Sequence, residues 1–168
     1  GIKDPVYGYE FHIDTGTFPP VKAKLPHYGP NESNIMDRHI DKILKLGWIE
    51  VERKDGPWGS IIVLAPKPHQ EDIKDPRDLI WRFCISYRPL NKITLAFYFP
   101  IPRCDDALTE FGDAKYFILL DAHSGYHQIR MAELSKPKTA FLAPHGRKYR
   151  WNVMPFGPRN CPPVFICF

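Results

Sequence analysis

The chain has 168 residues, of which 43% are hydrophobic and 25% are charged, and its formal net charge is +4. This length suits one domain of ordinary size, and the apolar content excludes an intrinsically disordered chain. No apolar run approaches the ~18 residues that a membrane-spanning helix needs. The first residues include neither an initiator Met nor an apolar signal segment, so we interpret the chain as a piece of a longer polypeptide.

The net charge does not decide whether the protein binds nucleic acid, but the cysteine spacing argues against a secreted disulfide-bonded protein. A small basic excess is compatible with binding to nucleic acid, but it also occurs in many proteins that never bind it. The four cysteines show no Cys-x-x-Cys spacing. We therefore expect free thiols in a reducing compartment rather than a secreted disulfide framework.

The N-terminal part divides into an extended segment and a helix. Proline and glycine punctuate residues 1–30, which predicts an extended segment that runs over the surface. Apolar side chains then recur at helical spacing over residues 31–45, which predicts an amphipathic helix. Asn31 or Asn34 is the candidate N-cap of this helix, and Gly47 is its candidate C-terminal stop.

The rest of the chain alternates short strands with turns. Residues 48–51, 60–65 and 81–87 are strand-like, and the charged residues 69–78 are predicted to form the exposed tip of a long hairpin. The pattern then predicts, in chain order, a short helix over 103–112, a buried strand over 115–121, a hairpin of 139–143 with 148–153 around a turn at 144–146, and a helix capped by Asn160. This mixture of strands and short helices predicts an α+β fold.

Asp121 is a candidate for chemistry because it ends the predicted buried strand. A carboxylate in such a place is unfavourable unless it is hydrogen-bonded or holds a cation. Two interpretations stay open. The carboxylate caps the following turn, or it binds Mg²⁺, a hard cation that prefers oxygen ligands held on a rigid element.

Two further features could belong to a ligand site. Lys67 and Arg82 lie at the base of the two predicted hairpin strands, where a guanidinium fork and an ammonium could both face one anion. Two basic residues on a hairpin are also common on an ordinary solvated face. Phe156 precedes Gly157, which places an aromatic ring beside a residue that lets the backbone approach a ligand closely.

Ten short segments resemble, in the same order, those of the reverse transcriptases of gypsy-type long-terminal-repeat retrotransposons. The resemblance covers about nine-tenths of the chain, and the order of the segments makes it specific. The segments are FHIDTG (11–16), LGWIE (46–50), VLAPK (63–67), WRFC (81–84), YRPLNK (87–92), FPIPR (99–103), LD (120–121), SGYHQI (124–129), KTAF (138–141) and MPFG (154–157).

The resemblance implies an α+β fold of fingers and a partial palm, with mostly antiparallel strands and short helices. It divides the chain into an extended N-terminal connector at 1–30, a region at 31–104 that is mainly fingers, and a partial palm at 105–168 with a returning fingers segment. The family carries a Tyr-x-Asp-Asp turn some tens of residues after the Pro-Phe-Gly segment. We expect the chain to be truncated before that turn.

The resemblance also implies a reaction, the templated addition of deoxynucleotides to a primer 3′-hydroxyl by two-metal phosphoryl transfer. Asp121 matches the first catalytic aspartate, a ligand of two Mg²⁺ ions, which Mn²⁺ could replace. Ala122 would add a backbone carbonyl to one metal, next to the nucleotide. Because one aspartate cannot hold two ions, we expect this chain alone to be inactive.

The remaining site residues follow from the same resemblance. Lys67 and Arg82 match fingers residues that hold the triphosphate of the dNTP. Tyr126 matches an aromatic gate that collides with a ribose 2′-hydroxyl, and Phe156 and Gly157 match a segment that lines the nucleotide pocket. The implied partners are an RNA or DNA template with its primer, dNTP and the rest of the polyprotein (the remaining palm, thumb and RNase H), with no membrane. The implied location is the cytoplasm, in a virus-like particle, or the nucleus.

Some positions depart from the family pattern. Ser86 stands where the family usually has Asp, His123 where a basic residue is more usual, and the segment between Lys67 and Trp81 is longer than usual. Prolines at 158 and 162–163 are expected to disturb the start of the last helix. These departures keep open an alternative function, that of a decayed or domesticated remnant that acts only as a nucleic-acid-binding or structural module.

Overall fold

The computed structural model describes residues 8–68, 80–100, 115–116, 118 and 121–167. The strands are β1 (Glu10–Phe11), β2 (Ile49–Val51), β3 (Ser60–Pro66), β4 (Trp81–Ser86), β5 (Arg130–Met131), β6 (Phe141–Leu142) and β7 (Lys148–Trp151). The α-helices are α1 (Pro30–Lys45), α2 (Arg88–Ile93) and α3 (Cys161–Cys167), and short 3-10 helices span Gly125–Gln128, Glu133–Thr139 and Pro144–Gly146. Within the described ranges, every helix is too short or too polar to cross a membrane.

Five strands form one mixed sheet in the order β2-β7-β6-β3-β4. The pairs β3–β4, β6–β7 and β2–β7 are antiparallel, whereas β6 lies parallel to β3. The predicted hairpins over 60–87 and 139–153 are both confirmed by this topology. The fold is therefore α+β with mostly antiparallel pairing, as predicted.

Helix α1 begins earlier than its predicted cap. Its N-cap is Gly29, whose backbone N–H donates to the carboxylate of Glu32 at 2.8 Å, so the prediction of Asn31 or Asn34 at this position is wrong. The physical reason is the proline at position 30. The fixed φ of proline suits the first helical residue, and its missing N–H is not needed there. The helix therefore begins at Pro30.

The other end and the buried face of α1 follow the prediction. Gly47 has a φ of +71°, the left-handed conformation that stops a helix and that only glycine adopts easily. Met36 and Ile40 are buried at the spacing of one helical turn and face the sheet. On the sheet side, the His39 ring stacks on Phe83 of β4 with 5.7 Å between ring centroids.

The prediction that the N-terminal segment runs only over the surface is wrong for part of it. Phe11 is fully buried in β1, which lies parallel to β5, and Ile13 is also buried. The Ile13 N–H donates to Ser135 Oγ at 2.9 Å, and its carbonyl accepts from Lys138 Nζ at 2.7 Å. An extended segment becomes part of the core when a distant strand and distant side chains satisfy its backbone.

The buried strand predicted over residues 115–121 lies only partly within the described residues. The described residues of this run form no strand, and the side chains of Tyr116 and Ile118 are 92% and 89% exposed. A strand requires a hydrogen-bonded neighbour and a covered face, and no described strand pairs with this run. The predicted hairpin tip at 69–78 and helix at 103–112 lie outside the described residues.

The prolines near the C-terminus do not prevent the last helix. Pro162 and Pro163 lie in the first turn of α3, where backbone N–H groups have no helical acceptor. The Cys161 N–H donates to the Pro158 carbonyl at 3.2 Å, and the Val164 N–H donates to the Asn160 carbonyl at 3.1 Å. The expected disturbance at these prolines is therefore wrong.

Candidate active site

The β3–β4 hairpin places Lys67 and Arg82 on one face. Arg82 is directly opposite Ala65, and Lys67 follows Ala65 by two residues, so both basic side chains point to the same side of the pleat. The Lys67 N–H donates to the Ile80 carbonyl at 2.9 Å and extends the ladder beyond the strands. Both side chains are exposed, and this face is opposite the one that packs on α1.

Lys67 is one of several cations that act on His39 of α1. The pKa of His39 is lowered first by burial and then by the charges of Lys42, Arg38 and Lys67. Two of these cations belong to α1 and one to the hairpin, so His39 is influenced by charges from both elements.

Tyr126 belongs to a cluster of aromatic rings next to the segment that contains Asp121. Its ring stacks on Phe156 with 4.8 Å between centroids and contacts Phe165 of α3 at 4.9 Å. The left-handed conformation of Ser124 turns the chain into the 3-10 helix that carries Tyr126. Burial raises the pKa of the Tyr126 hydroxyl, so the ring presents a neutral O–H at physiological pH.

Gly157 allows the segment after Phe156 to approach the end of β4. Its φ is +107°, and a Cβ at this position would lie 3.2 Å from a Tyr87 ring carbon and 3.5 Å from the Ile85 carbonyl oxygen. Phe156 itself is 61% exposed. Gly157 thus lets the segment after Phe156 pack against the end of β4.

Sequence reasoning missed the side chains that hold this segment in place. The Asn91 amide donates from Nδ2 to the Gly157 carbonyl at 2.9 Å, and its Oδ1 accepts from the Arg159 N–H at 2.9 Å. Asn160 Oδ1 accepts from the Phe97 N–H at 3.0 Å, and its Nδ2 donates to the Leu95 carbonyl at 2.8 Å. Asn160 does sit at the start of α3, but its side chain binds the 95–97 segment instead of capping the helix.

Sequence reasoning also missed the role of His127, whose ring packs between those of Trp151 and Phe156. Its ring stacks on Trp151 with 5.3 Å between centroids, and it contacts the edge of Phe156 at 5.2 Å. Its Nδ1 lies 3.0 Å from the Met154 carbonyl oxygen, which identifies Nδ1–H as the donor. Burial lowers the pKa of His127 and keeps the ring neutral. A lone histidine inside a motif carries no sequence signal for this role.

Asp121 and Ala122 lie in an exposed segment just before the 3-10 helix Gly125–Gln128. Asp121 is itself exposed, so the argument from a desolvated carboxylate does not apply to it. Nor does its side chain cap the following helix, whose N-cap residue is Ser124. Within the described part of the chain, no group of three or more metal-ligating side chains comes together. One carboxylate and one carbonyl do not make up a site for two Mg²⁺ ions.

The site residues thus fall into three sets. Lys67 and Arg82 share one face of the hairpin, while Tyr126 and Phe156 stack on each other. Asp121 belongs to a third set with its neighbour Ala122, on the exposed chain that leads into the aromatic cluster. The hairpin pair supplies positive charge, and the stacked rings supply flat apolar surface.

Comparison with known proteins gives matches over most of the chain. Residues 67–168 match a family model described as reverse transcriptase (RNA-dependent DNA polymerase). The retrovirus-related Pol polyprotein from transposon opus of Drosophila melanogaster is 37% identical over 153 residues, which are 91% of this chain and 15% of that polyprotein. The enzymatic polyprotein of Cestrum yellow leaf curling virus is 43% identical over 104 residues, 62% of this chain and 16% of that polyprotein.

The fold is similar to that of a solved protein. The crystal structure of prototype foamy virus protease-reverse transcriptase matches with a TM-score of 0.75 and 25% sequence identity. The match covers 94% of this chain and 20% of that one. The chain therefore spans only a small part of the length of each protein that it resembles.

Proposed function

The chain belongs to the reverse transcriptase family, and we propose that it is the nucleotide-binding part of the RNA-directed DNA polymerase of an LTR retrotransposon. Family membership confirms the prediction made from the ten ordered segments. The complete polymerase would add deoxynucleotides to a primer 3′-hydroxyl on an RNA or DNA template. The rest of the palm, the thumb and RNase H would come from the remainder of the polyprotein, either in a cytoplasmic virus-like particle or in the nucleus.

The observation that carries this proposal is the placement of Lys67 and Arg82 on one face of the β3–β4 hairpin. Diagonal neighbours on a sheet lie about 7–8 Å apart, a span that two long cationic side chains can bridge onto one polyphosphate. Arg82 would supply a planar fork to two phosphate oxygens, and Lys67 a compact charge to a third. The domain division at 31–104 and 105–168 belongs to the same proposal, with the hairpin in the fingers.

The aromatic cluster would receive the sugar and base of the same nucleotide. Tyr126 is held by Phe156 on one side and by Phe165 on the other, so its ring has little freedom to move away from an added 2′-hydroxyl. Such a steric gate discriminates against ribonucleotides without any charged group. Phe156 and Gly157 would form the adjoining wall, because the glycine fixes that segment against β4.

Reverse transcriptases generally use divalent metal ions, and Asp121 with the Ala122 carbonyl would be this chain's contribution to the metal site. The described residues do not complete such a site. We therefore assign no catalytic step to this chain. Pure protein of this length, mixed with primer–template, dNTP and Mg²⁺, is expected to show no primer extension, and measurable extension would contradict that expectation.

Nucleotide binding tests the proposal directly. A fluorescent dATP analogue should bind the chain at low salt, and Lys67→Ala or Arg82→Ala should each weaken its affinity about tenfold, since a charge-assisted hydrogen bond is lost. Lys24→Ala is the matched control, because Lys24 is an exposed lysine outside the hairpin. The assignment of this face to the triphosphate would be refuted if the analogue did not bind. It would also be refuted if the unsubstituted chain and the three variants bound the analogue equally well.

The alternative of a decayed or domesticated remnant gains no support from the described residues. Its clearest sequence sign was the group of prolines after Gly157, and α3 forms in their presence. A remnant that only binds nucleic acid would bind primer–template with an affinity that falls steeply with salt. It would show no loss of dATP binding on substitution of Lys67 or Arg82, which distinguishes it from the proposed polymerase segment.

A further inference from the structure

A cavity of about 320 Å³ lies at the opposite edge of the sheet from the hairpin. It opens beside the loop that joins β2 to β3 and borders the start of β7. Its volume is in the range of small-molecule sites. The lining residues are Glu52, Arg53, Asp55, Gly56, Pro57, Trp58, Pro137 and Lys148. None of them belongs to the candidate active site.

The unusual group in this cavity is Lys148. Its side chain is almost entirely buried, with 2% of the residue exposed, and its ammonium donates to the Gly56 carbonyl at 2.9 Å. Burial lowers its pKa, and the nearby charge of Lys22 acts in the same direction, against the opposing influence of Glu52 and Asp55. An ammonium carries three N–H donors, and a single carbonyl satisfies one of them.

The acidic side chains in the lining are already paired with arginines. Glu52 accepts from Arg150 at 3.2 Å and from the Arg53 N–H at 2.7 Å, and Asp55 pairs with Arg53 at 3.1 Å. Within the described part of the chain, Lys148 makes no ion pair. Its charge is therefore buried without a direct counterion, an arrangement that is unfavourable unless another anion compensates it.

The remaining walls of the cavity are flat and apolar. Trp58 is buried against the core, and Pro57 and Pro137 line the cavity beside it. We propose that the cavity binds a small organic carboxylate, whose carboxylate group accepts hydrogen bonds from the Lys148 ammonium while its apolar body packs between Trp58 and the two prolines. This site is independent of the proposed nucleotide site.

The charges at the cavity favour a monoanion over a phosphate. Glu52 and Asp55 lie close enough to influence Lys148, so a dianion would be repelled by both carboxylates. A carboxylate brings one negative charge, which matches the one unpaired ammonium. A carboxylate oxygen can accept from one of the ammonium N–H groups that does not point at the Gly56 carbonyl.

Benzoate is a suitable probe because it combines a carboxylate with a flat apolar ring. Titration of the chain with benzoate, followed by isothermal calorimetry or by NMR chemical shifts, should show saturable binding, with benzamide and inorganic phosphate at least about tenfold weaker. Lys148→Met removes the charge at similar size and should weaken benzoate binding about tenfold or more. Lys54→Met, at an exposed lysine of the same loop, should leave it unchanged.

A second variant keeps the test decisive if Lys148→Met fails to fold. A Cβ at position 56 would lie 2.8 Å from Lys148 Nζ, the flexible end of a side chain, so Gly56→Ala should displace the ammonium while the lysine stays charged. Benzoate affinity should then fall severalfold. No saturable binding of benzoate, equal binding of benzamide, or full affinity in both variants would each overturn the proposal.

Discussion

The five-stranded sheet and the segment that leads to Asp121 are both rich in apolar residues, but they lie in opposite environments. Ile62 and Phe141 in the sheet are essentially fully buried, whereas Tyr116 and Ile118 are almost fully exposed. The difference lies in their neighbours. Each sheet strand has a hydrogen-bonded strand beside it and a helix or ring cluster over one face, and the segment around Tyr116 has neither among the described residues.

This contrast shows that a preference for extended backbone does not by itself stabilise the fold. A run of β-branched and aromatic residues favours an extended conformation, but it contributes free energy only where its surface leaves water. The sheet therefore stabilises the fold, while the described residues near Asp121 add little to it. Tyr116 and Ile118, two of the most exposed apolar side chains among the described residues, lie a few residues before Asp121.

The largest expected effect on stability comes from comparing a buried ring of the sheet with the exposed ring of Tyr116. Phe141→Ala should lower the free energy of unfolding by about 3–5 kcal/mol, because a fully buried ring is replaced by a cavity among Phe83, Tyr149 and Trp151. Tyr116→Ala should change it by less than about 0.5 kcal/mol. Urea denaturation of both variants measures the two values, and similar losses would show that Tyr116 is covered in solution.

A substitution at Gly157 tests whether its close packing against the end of β4 adds to stability, apart from the effect of its positive φ. Gly157→Ala should lower the free energy of unfolding by about 2–3 kcal/mol, since it adds a Cβ next to Tyr87 to an unfavourable positive φ. Gly47→Ala is the matched control, because its φ is also positive but its Cβ would meet open space. A loss of about 1 kcal/mol is expected there. If the two variants lost the same unfolding free energy, the whole loss at Gly157 would come from its positive φ.

Tyr87 links the end of β4 to residue 139 across the core. Its buried hydroxyl donates to the Thr139 carbonyl at 3.0 Å, so Tyr87→Phe should lower the free energy of unfolding by about 1–2 kcal/mol and leave that carbonyl without its donor. The comparable change at an exposed ring, Tyr98→Phe, should have no measurable effect. Chemical denaturation distinguishes them, and a neutral Tyr87→Phe would mean that the carbonyl finds another donor.

The smallest expected effect is a pH dependence from His127. Burial holds its folded-state pKa below the ordinary value of about 6.5, so the unfolded chain binds a proton that the folded chain does not. The contribution to stability is therefore complete above pH 6.5 and is lost as the pH falls from there through the folded pKa. His127→Gln should flatten the fall in unfolding free energy between pH 7 and 5.

The half-buried His39 is the comparison for that titration. His39, whose pKa is lowered in the same direction, contributes to the slope in every variant. A slope that His127→Gln does not alter would assign the pH dependence to His39 or to other groups.

Much of the local structure could be predicted because it depends on neighbouring residues. The helical spacing of Met36 and Ile40, the stop at Gly47 and the alternation in Trp81–Ser86 each follow from a short stretch of chain. The same is true of the candidate site at Lys67 and Arg82, whose common face follows once the hairpin is predicted. The cap at Gly29 was missed because the proline at position 30 outweighed two good capping residues after it.

The sequence by itself determined the family, the α+β class, helix α1 and the two hairpins, because ordered motifs and periodic patterns are properties of consecutive residues. Only the tertiary structure decided that β1 lies beside β5, that β6 joins β3 in parallel, and that Asn91 and Asn160 hold the segments around Gly157 and Leu95. It also decided that Lys148 is buried and that, among the described residues, it forms no ion pair. These features depend on contacts between residues far apart in the chain, and periodicity along a sequence carries no information about which distant surface will meet it.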